Sequence, residues 1–167
     1  MARSNHKQKD GFSGIPRHII EHPSFKSLSY SASKLLILLG YQYRGNNNGN
    51  LVITYSLMKD WFGSNTTMYK ARDSLYKTGF IVINAYGGRS GNGTKMPHLY
   101  ALTWESIDPL KGDNNWMRYS HYPANKPPLS YWKSGVNPDV KTKKERDNQY
   151  KKDVKKIKKT STSYQTY

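Results

Sequence analysis

An α+β fold is predicted, with helices gathered in the first half of the chain and strands following them. Three observations predict it. "SLSYSASKLLILLGYQYR" is an apolar helical segment. "GSNTTMYKARDSLYKTGF", Gly63 to Phe80, repeats Met68, Ala71 and Leu75 at steps of three and four, the mark of one buried helical stripe. "FIVINAY" and "LYALTW" are short runs of β-branched, aromatic and aliphatic residues bounded by polar turns, which suits strands.

Taken in order, residues 1–13 read as a disordered, mildly basic arm. "IPRHIIEHPSF" predicts one short helix, with Pro16 at its first position and Pro23 stopping it. Next comes the apolar helix. Ser29 or Ser31 can cap it, and Leu35, Leu36, Leu38 and Leu39 make it apolar on most sides, as expected of a central buried helix. "GNNNGN" is a loop and "LVITY" a short strand. Thr54 can cap a short helix carrying Leu57, Met58, Trp61 and Phe62. Gly63 and Ser64 turn into the next helix, whose first amides the Ser64 hydroxyl can cap and whose end suits a left-handed Gly79. "GGRSGNGTKMPH" joins the last two strands as a Gly-rich loop.

After Trp104 the sequence turns rich in Pro, Asn and aromatic residues. Trp116, Tyr119, Tyr122, Tyr131 and Trp132 can strap this segment onto the domain or stack on unpaired bases, and strapping is the commoner outcome. The predicted organisation is an arm at 1–13, a domain at 14–108, an extension at 109–140 and a basic tail at 141–167.

The 167 residues carry a formal charge of +16 and no cysteine. Disulfides and thiolate metal sites are thereby excluded. The tail holds ten cations against three acids: Lys141, Lys143, Lys144, Arg146, Lys151, Lys152, Lys155, Lys156, Lys158 and Lys159. Within it Tyr150, Val154 and Ile157 form a thin helical stripe, too weak to fold alone. Such a balance favours polyanions, above all nucleic acid. The opening residues contain no apolar run, and the longest apolar stretch, Leu35 to Leu39, is too short to span a bilayer, so a cytoplasmic protein without membrane contact is expected.

The order strand, short helix, tight turn, second helix and Gly-tipped hairpin resembles the winged helix-turn-helix proteins. "SNTTMYKARDSLYKTGFI" is similar to their recognition segment, in the pattern Ser-x-x-Thr-apolar-x-basic-Ala-x-x-x-Leu-x-x-x-Gly-apolar-Ile, with Ser64 and Thr67 as its first fixed positions. "GIPRHIIEHPSFKSLSYSASKLLILL" with "NNNGNLVITYSLM" narrows the resemblance to small winged-helix proteins of phages, prophages and plasmids. It covers about Gly14 to Asp108. The resemblance implies a winged helix-turn-helix domain with a basic, largely irregular C-terminal extension. It also implies sequence-specific binding of double-stranded DNA by a mobile-element regulator or replication protein. A phage protein that docks on a host nucleoprotein complex is the alternative, and a homodimer stays open.

Resemblance and helical phase together put Asn65, Thr66, Tyr69 and Lys70 at base edges, where Asn can pair with adenine, Thr can meet a thymine methyl and Lys can take guanine or phosphate. Ser64 and its neighbouring amides favour a phosphate. Lys59 can reach the backbone, and Arg89 and Lys95 flank the flexible glycines of the wing. Asp73 repels phosphate on the same face. Arg72 departs from the pattern, standing where a core aliphatic residue is usual; its stem can snorkel or its head can point at a partner. No cofactor and no enzyme activity are expected. His18 and His22 lie four apart but have no evident third metal ligand, and no P-loop, nucleophile elbow or acidic pair is present.

Overall fold

The computed structural model describes residues 14–89, 93–109, 121–124 and 127–140. The expected arm, Trp116, Tyr119 and the whole tail from Lys141 lie outside the described residues. The chain divides into a compact unit ending at Asn137 and a second beginning at Pro138.

The first apolar segment forms two one-turn helices rather than one, α1 (Arg17–Ile20) and α2 (Pro23–Lys26). Pro16 sits at the N-cap of α1, one position before the predicted place. Pro23 opens α2 as well as ending α1, because a first helical residue has no use for its amide hydrogen. His22 caps α2, its Nδ1 accepting from the Ser24 amide at 3.2 Å.

The apolar helix is α3 (Tyr30–Gln42), and Ser29 caps it by accepting from the Ala32 amide. Ala32, Leu35, Leu36, Leu38 and Leu39 are buried. One side is free, however: Tyr30, Lys34, Ile37 and Tyr41 are exposed. After β1 (Leu51–Val52) come α4 (Tyr55–Met58) and α5 (Asn65–Lys77). Thr54 and Ser64 stand at the two N-caps, but neither side chain makes the expected capping bond; the Thr54 hydroxyl instead lies 3.2 Å from that of Ser56. Helix α4 is shorter than expected. Met58 and Phe62 are buried, whereas Leu57 and Trp61 are exposed.

Met68, Ala71 and Leu75 are the buried residues of α5, so the sequence-predicted stripe is the one that packs inward. At its end Phe80 N–H bonds the Leu75 carbonyl and Gly79 N–H bonds the Tyr76 carbonyl, the paired closure that needs a left-handed residue. Gly79 supplies it with φ +78°, and a Cβ there would stand 2.8 Å from the Tyr131 carbonyl carbon.

Strands β2 (Ile81–Ala85) and β5 (Leu99–Leu102) pair antiparallel, and β1 joins β5 on its other edge, giving the order β1-β5-β2. The Gly-rich loop contains a further ladder, β3 (Gly88–Arg89) against β4 (Lys95–Met96). The architecture is thus mixed helix and strand, with two small antiparallel sheets. The largest core cluster lies between α3, α5 and the three-stranded sheet, drawing on Leu35, Leu39, Met68, Leu75, Phe80 and Tyr100.

Asn48, fully buried, fastens the "GNNNGN" loop to the segment after β5. Its Oδ1 accepts from the Leu102 amide at 2.7 Å, and its Nδ2 donates among the carbonyls of Leu102, Glu105 and Ser106. Its backbone amide donates to the Asp108 carboxylate, and the Asp108 amide donates to its carbonyl.

The domain does not end at Asp108. The amide of His121 bonds the carbonyl of Asn84, Ser130 bonds Thr103, and Asn137 bonds Lys77. A 3-10 turn (Tyr131–Lys133) carries Trp132 into the core cluster at 3% exposure, so this part of the aromatic extension is a strap. His18 and His22 flank the Trp132 ring at 5.6 and 5.0 Å between centroids.

Candidate nucleic-acid interface

Because Met68, Ala71 and Leu75 fix the phase of α5, the opposite face turns to solvent. Ser64, Asn65, Thr66, Thr67, Tyr69, Lys70 and Asp73 are all exposed. The N-terminal part of that face offers short polar groups: an amide at Asn65 and hydroxyls at Thr66 and Thr67. The Ser64 hydroxyl is not used as a cap, which leaves the first turn open to an outside acceptor. Lys59, at the C-cap of α4, is exposed as well.

The β3–β4 hairpin presents Arg89 and Lys95, both exposed and directly opposite each other across the ladder. Side chains of directly opposed residues share one face, and like charges so placed destabilise a ladder. An anion between them reverses that sign. At the hairpin base the Gly87 amide donates to His98 Nδ1 at 2.9 Å. A Cβ on Gly87 would collide with the Met96 carbonyl, so the two strands approach closely here. Tyr86, half exposed, packs edge-on against His98 and His121, with centroids 5.6 and 4.5 Å apart.

Arg72 behaves unlike the other cations. Its Nε and Nη2 both donate to Asp73 Oδ1, at 2.9 and 2.6 Å. Its guanidinium lies 4.8 Å from the Tyr69 ring centroid and interacts electrostatically with the hydroxyl of Tyr100, a β5 residue only 2% exposed. Burial works against the Arg72 charge, and the bond to Asp73 with the nearby Tyr100 hydroxyl more than offsets it, holding the guanidinium above its ordinary pKa. For Tyr100, burial dominates and raises the phenol's pKa despite the cation beside it. His98 is pushed below its usual value, first by burial and then by the Arg72 charge.

Lys59, Ser64, Asn65, Thr66, Thr67, Tyr69, Lys70, Arg89 and Lys95 thus reach solvent. Of these, Ser64 to Thr67, Tyr69 and Lys70 lie on the exposed N-terminal part of α5 and its cap, Lys59 stands at the end of α4, and Arg89 and Lys95 form the opposed pair on the hairpin. Arg72 is half-buried and occupied within the domain. Tyr100 on β5 and His98 at the hairpin base, both of which feel its charge, were not singled out from the sequence. The only signal was Arg72 itself, a charged residue at a core-like phase. Among the described residues no group of three or more His, Asp or Glu could hold a metal ion, and no helix is long and apolar enough to cross a membrane. The chain matches no known family model, no curated protein and no solved structure.

Proposed function

We propose that the unit ending at Asn137 is a winged helix-turn-helix that binds double-stranded DNA in a sequence-dependent way, as a regulator or replication protein of a mobile element does. In this reading α4 and α5 are the helix-turn-helix and the β3–β4 hairpin is the wing. Asn65, Thr66, Thr67 and Tyr69 meet base edges in the major groove, while Ser64, Lys59, Lys70, Arg89 and Lys95 hold phosphates. The observation that carries the reading is the opposed Arg89–Lys95 pair, a charge arrangement that costs stability unless an anion joins it, on a domain whose α5 turns a short-chained polar face outward. Arg72 is assigned a positioning role, since its charge is already engaged.

The test is fluorescence anisotropy of the full chain on duplex DNA across a salt series. Four free cations, Lys59, Lys70, Arg89 and Lys95, give a log-log salt slope of about −3.6 or steeper, at about −0.9 per neutralised phosphate. Arg89→Ala and Lys95→Ala weaken every sequence alike, whereas Asn65→Ala and Tyr69→Ala change the sequences recovered from a random duplex pool. No duplex binding at about 50 mM salt, where the phosphate contribution is strong, would refute the proposal.

A further inference from the structure

The β3–β4 hairpin carries the opposed Arg89–Lys95 pair, but it does not set its own direction. Its described rungs are Gly88 against Met96 and Arg89 against Lys95. An isolated two-stranded ladder is marginal in water, and like charges facing across it weaken it further. Its aim is therefore fixed where it joins the domain. The ladder of β2 with β5 ends at Ala85 against Leu99, so Tyr86 and Gly87 on one side and Pro97 and His98 on the other belong to neither sheet. Pro97 has no amide hydrogen to give to a ladder here. A side chain bridges the gap instead: the Gly87 amide donates to His98 Nδ1 at 2.9 Å. The approach is too close for a Cβ on Gly87, which would collide with the Met96 carbonyl and stand 2.8 Å from the His98 backbone nitrogen.

We propose, on the DNA-binding reading above, that His98 is the positioning residue of the wing: through the Gly87 amide its neutral ring fixes where Arg89 and Lys95 stand relative to α5. The groups facing this ring are few. Tyr86 packs edge-on at 5.6 Å between centroids, Tyr100 of β5 lies at 6.4 Å, and the Arg72 charge acts on it from α5. Asp73 is held by Arg72, and His121 packs on the Tyr86 ring rather than on the wing. Burial and the Arg72 charge both favour the neutral form. Because Nδ1 accepts, the neutral ring carries its proton on Nε2. A second proton goes on Nδ1, where it meets the Gly87 N–H donor to donor and removes the bridge. Acid therefore has two opposite effects. Added charge strengthens the hold on any polyanion. Loss of the bridge instead removes what Arg89 and Lys95 contribute, although both keep their charge. That opposition separates a positioning role from a merely electrostatic one.

Two variants of the full chain isolate it. His98→Asn keeps an acceptor oxygen near the place of Nδ1 and does not titrate, whereas His98→Ala removes the acceptor. Without DNA, the protection of the Gly87 amide against hydrogen exchange is read by NMR at about pH 7.5 and about pH 5, on either side of the histidine range. It is expected to be lost at the lower pH in the unmodified chain, kept at both in His98→Asn and absent at both in His98→Ala. With duplex DNA at about 50 mM salt, one phosphate contact of slope about −0.9 is worth roughly 15-fold in affinity relative to 1 M salt. Arg89→Ala is expected to lose affinity on that scale at the higher pH and to lose far less at the lower. In the His98→Asn background the loss is expected to be equal at both. Gly87 protection that persists through the His98 titration, an Arg89→Ala loss that does not change with pH, or failure of Asn to restore what Ala removes would each overturn the proposal. A chain that binds no duplex while its Gly87 protection follows His98 refutes the DNA reading alone and keeps His98 as the anchor of the hairpin.

Discussion

Replacing Arg72 by Met separates a positioning residue from a DNA contact. Met keeps an apolar stem but cannot bond Asp73 or Tyr100. Asp73 is about half exposed, so losing that ion pair costs at most about 1 kcal/mol. The Tyr100 hydroxyl matters more. Tyr100 is 2% exposed, and a buried hydroxyl left without its partner costs about 1–3 kcal/mol. The sum is about 1–4 kcal/mol of folding stability, read as a shift in the midpoint of a guanidinium titration. Tyr100→Phe removes the buried hydroxyl itself, leaves the half-exposed guanidinium to Asp73 and water, and costs less. The double variant is therefore less destabilised than the two single losses added, which a double-mutant cycle measures. On DNA, Arg72→Met should leave the salt slope unchanged while broadening sequence preference, because the Tyr69 ring loses the cation beneath it. Lys70→Ala should do the reverse, flattening the slope by about 0.9 with no loss of stability. An Arg72→Met protein of normal stability with a flattened slope would refute the positioning role.

Two other perturbations test the frame around the site. Asn48→Ala strands the Leu102 amide and leaves three carbonyls short of a donor, which should cost about 3 kcal/mol in chemical denaturation; Asn48→Asp should cost more, since a carboxylate then faces those carbonyls and Asp108. His98 has a folded pKa below its ordinary value, so the unfolded chain takes up its proton first. Its contribution is complete above about pH 6.5 and is lost as pH falls through the lower folded value, so thermal midpoints should drop between about pH 7 and 5, and drop less in His98→Gln.

What the sequence disclosed follows from locality. The stripe of α5, its closure at Gly79, the cap at Ser29 and the two main strands depend on residues within one or two turns of each other. Their periodicities survive folding unchanged. The features that were missed depend on distant partners. Nothing near Asn48 reveals that its amide meets the segment after β5, 54 to 60 residues later. Arg72 looked anomalous because the Tyr100 hydroxyl that accommodates it comes from another strand. Pro23 was read only as a stop, although the same missing amide hydrogen makes it a good start. The strap through Trp132 was favoured from composition, but its path over Gly79 lay beyond any local pattern. For the candidate site, exposure of the α5 face could be derived from phase, while the opposition of Arg89 to Lys95 needed a ladder register.

The positive character of the proposed interface depends on acids as much as on lysines. Asp73 alone on the α5 face would repel a phosphate, but Arg72 bonds it from the neighbouring position and leaves that face nearly neutral. Asp108 is turned toward the Asn48 amide, and Glu105 interacts with the nearby Tyr43 hydroxyl, with burial raising its pKa. Three of the described acids are thus engaged within the domain. Arg89 and Lys95 face each other, and Lys59 and Lys70 stand exposed on the helices. A cation added at random to this surface would raise affinity for any polyanion. The arrangement found here does something narrower: it leaves fixed charge where the hairpin and α4–α5 reach solvent and spends Arg72 on holding Tyr69. Under the proposed function, the opposed pair would favour a duplex of fixed phosphate spacing over a flexible polyanion, and discrimination between sequences would fall to the polar face of α5.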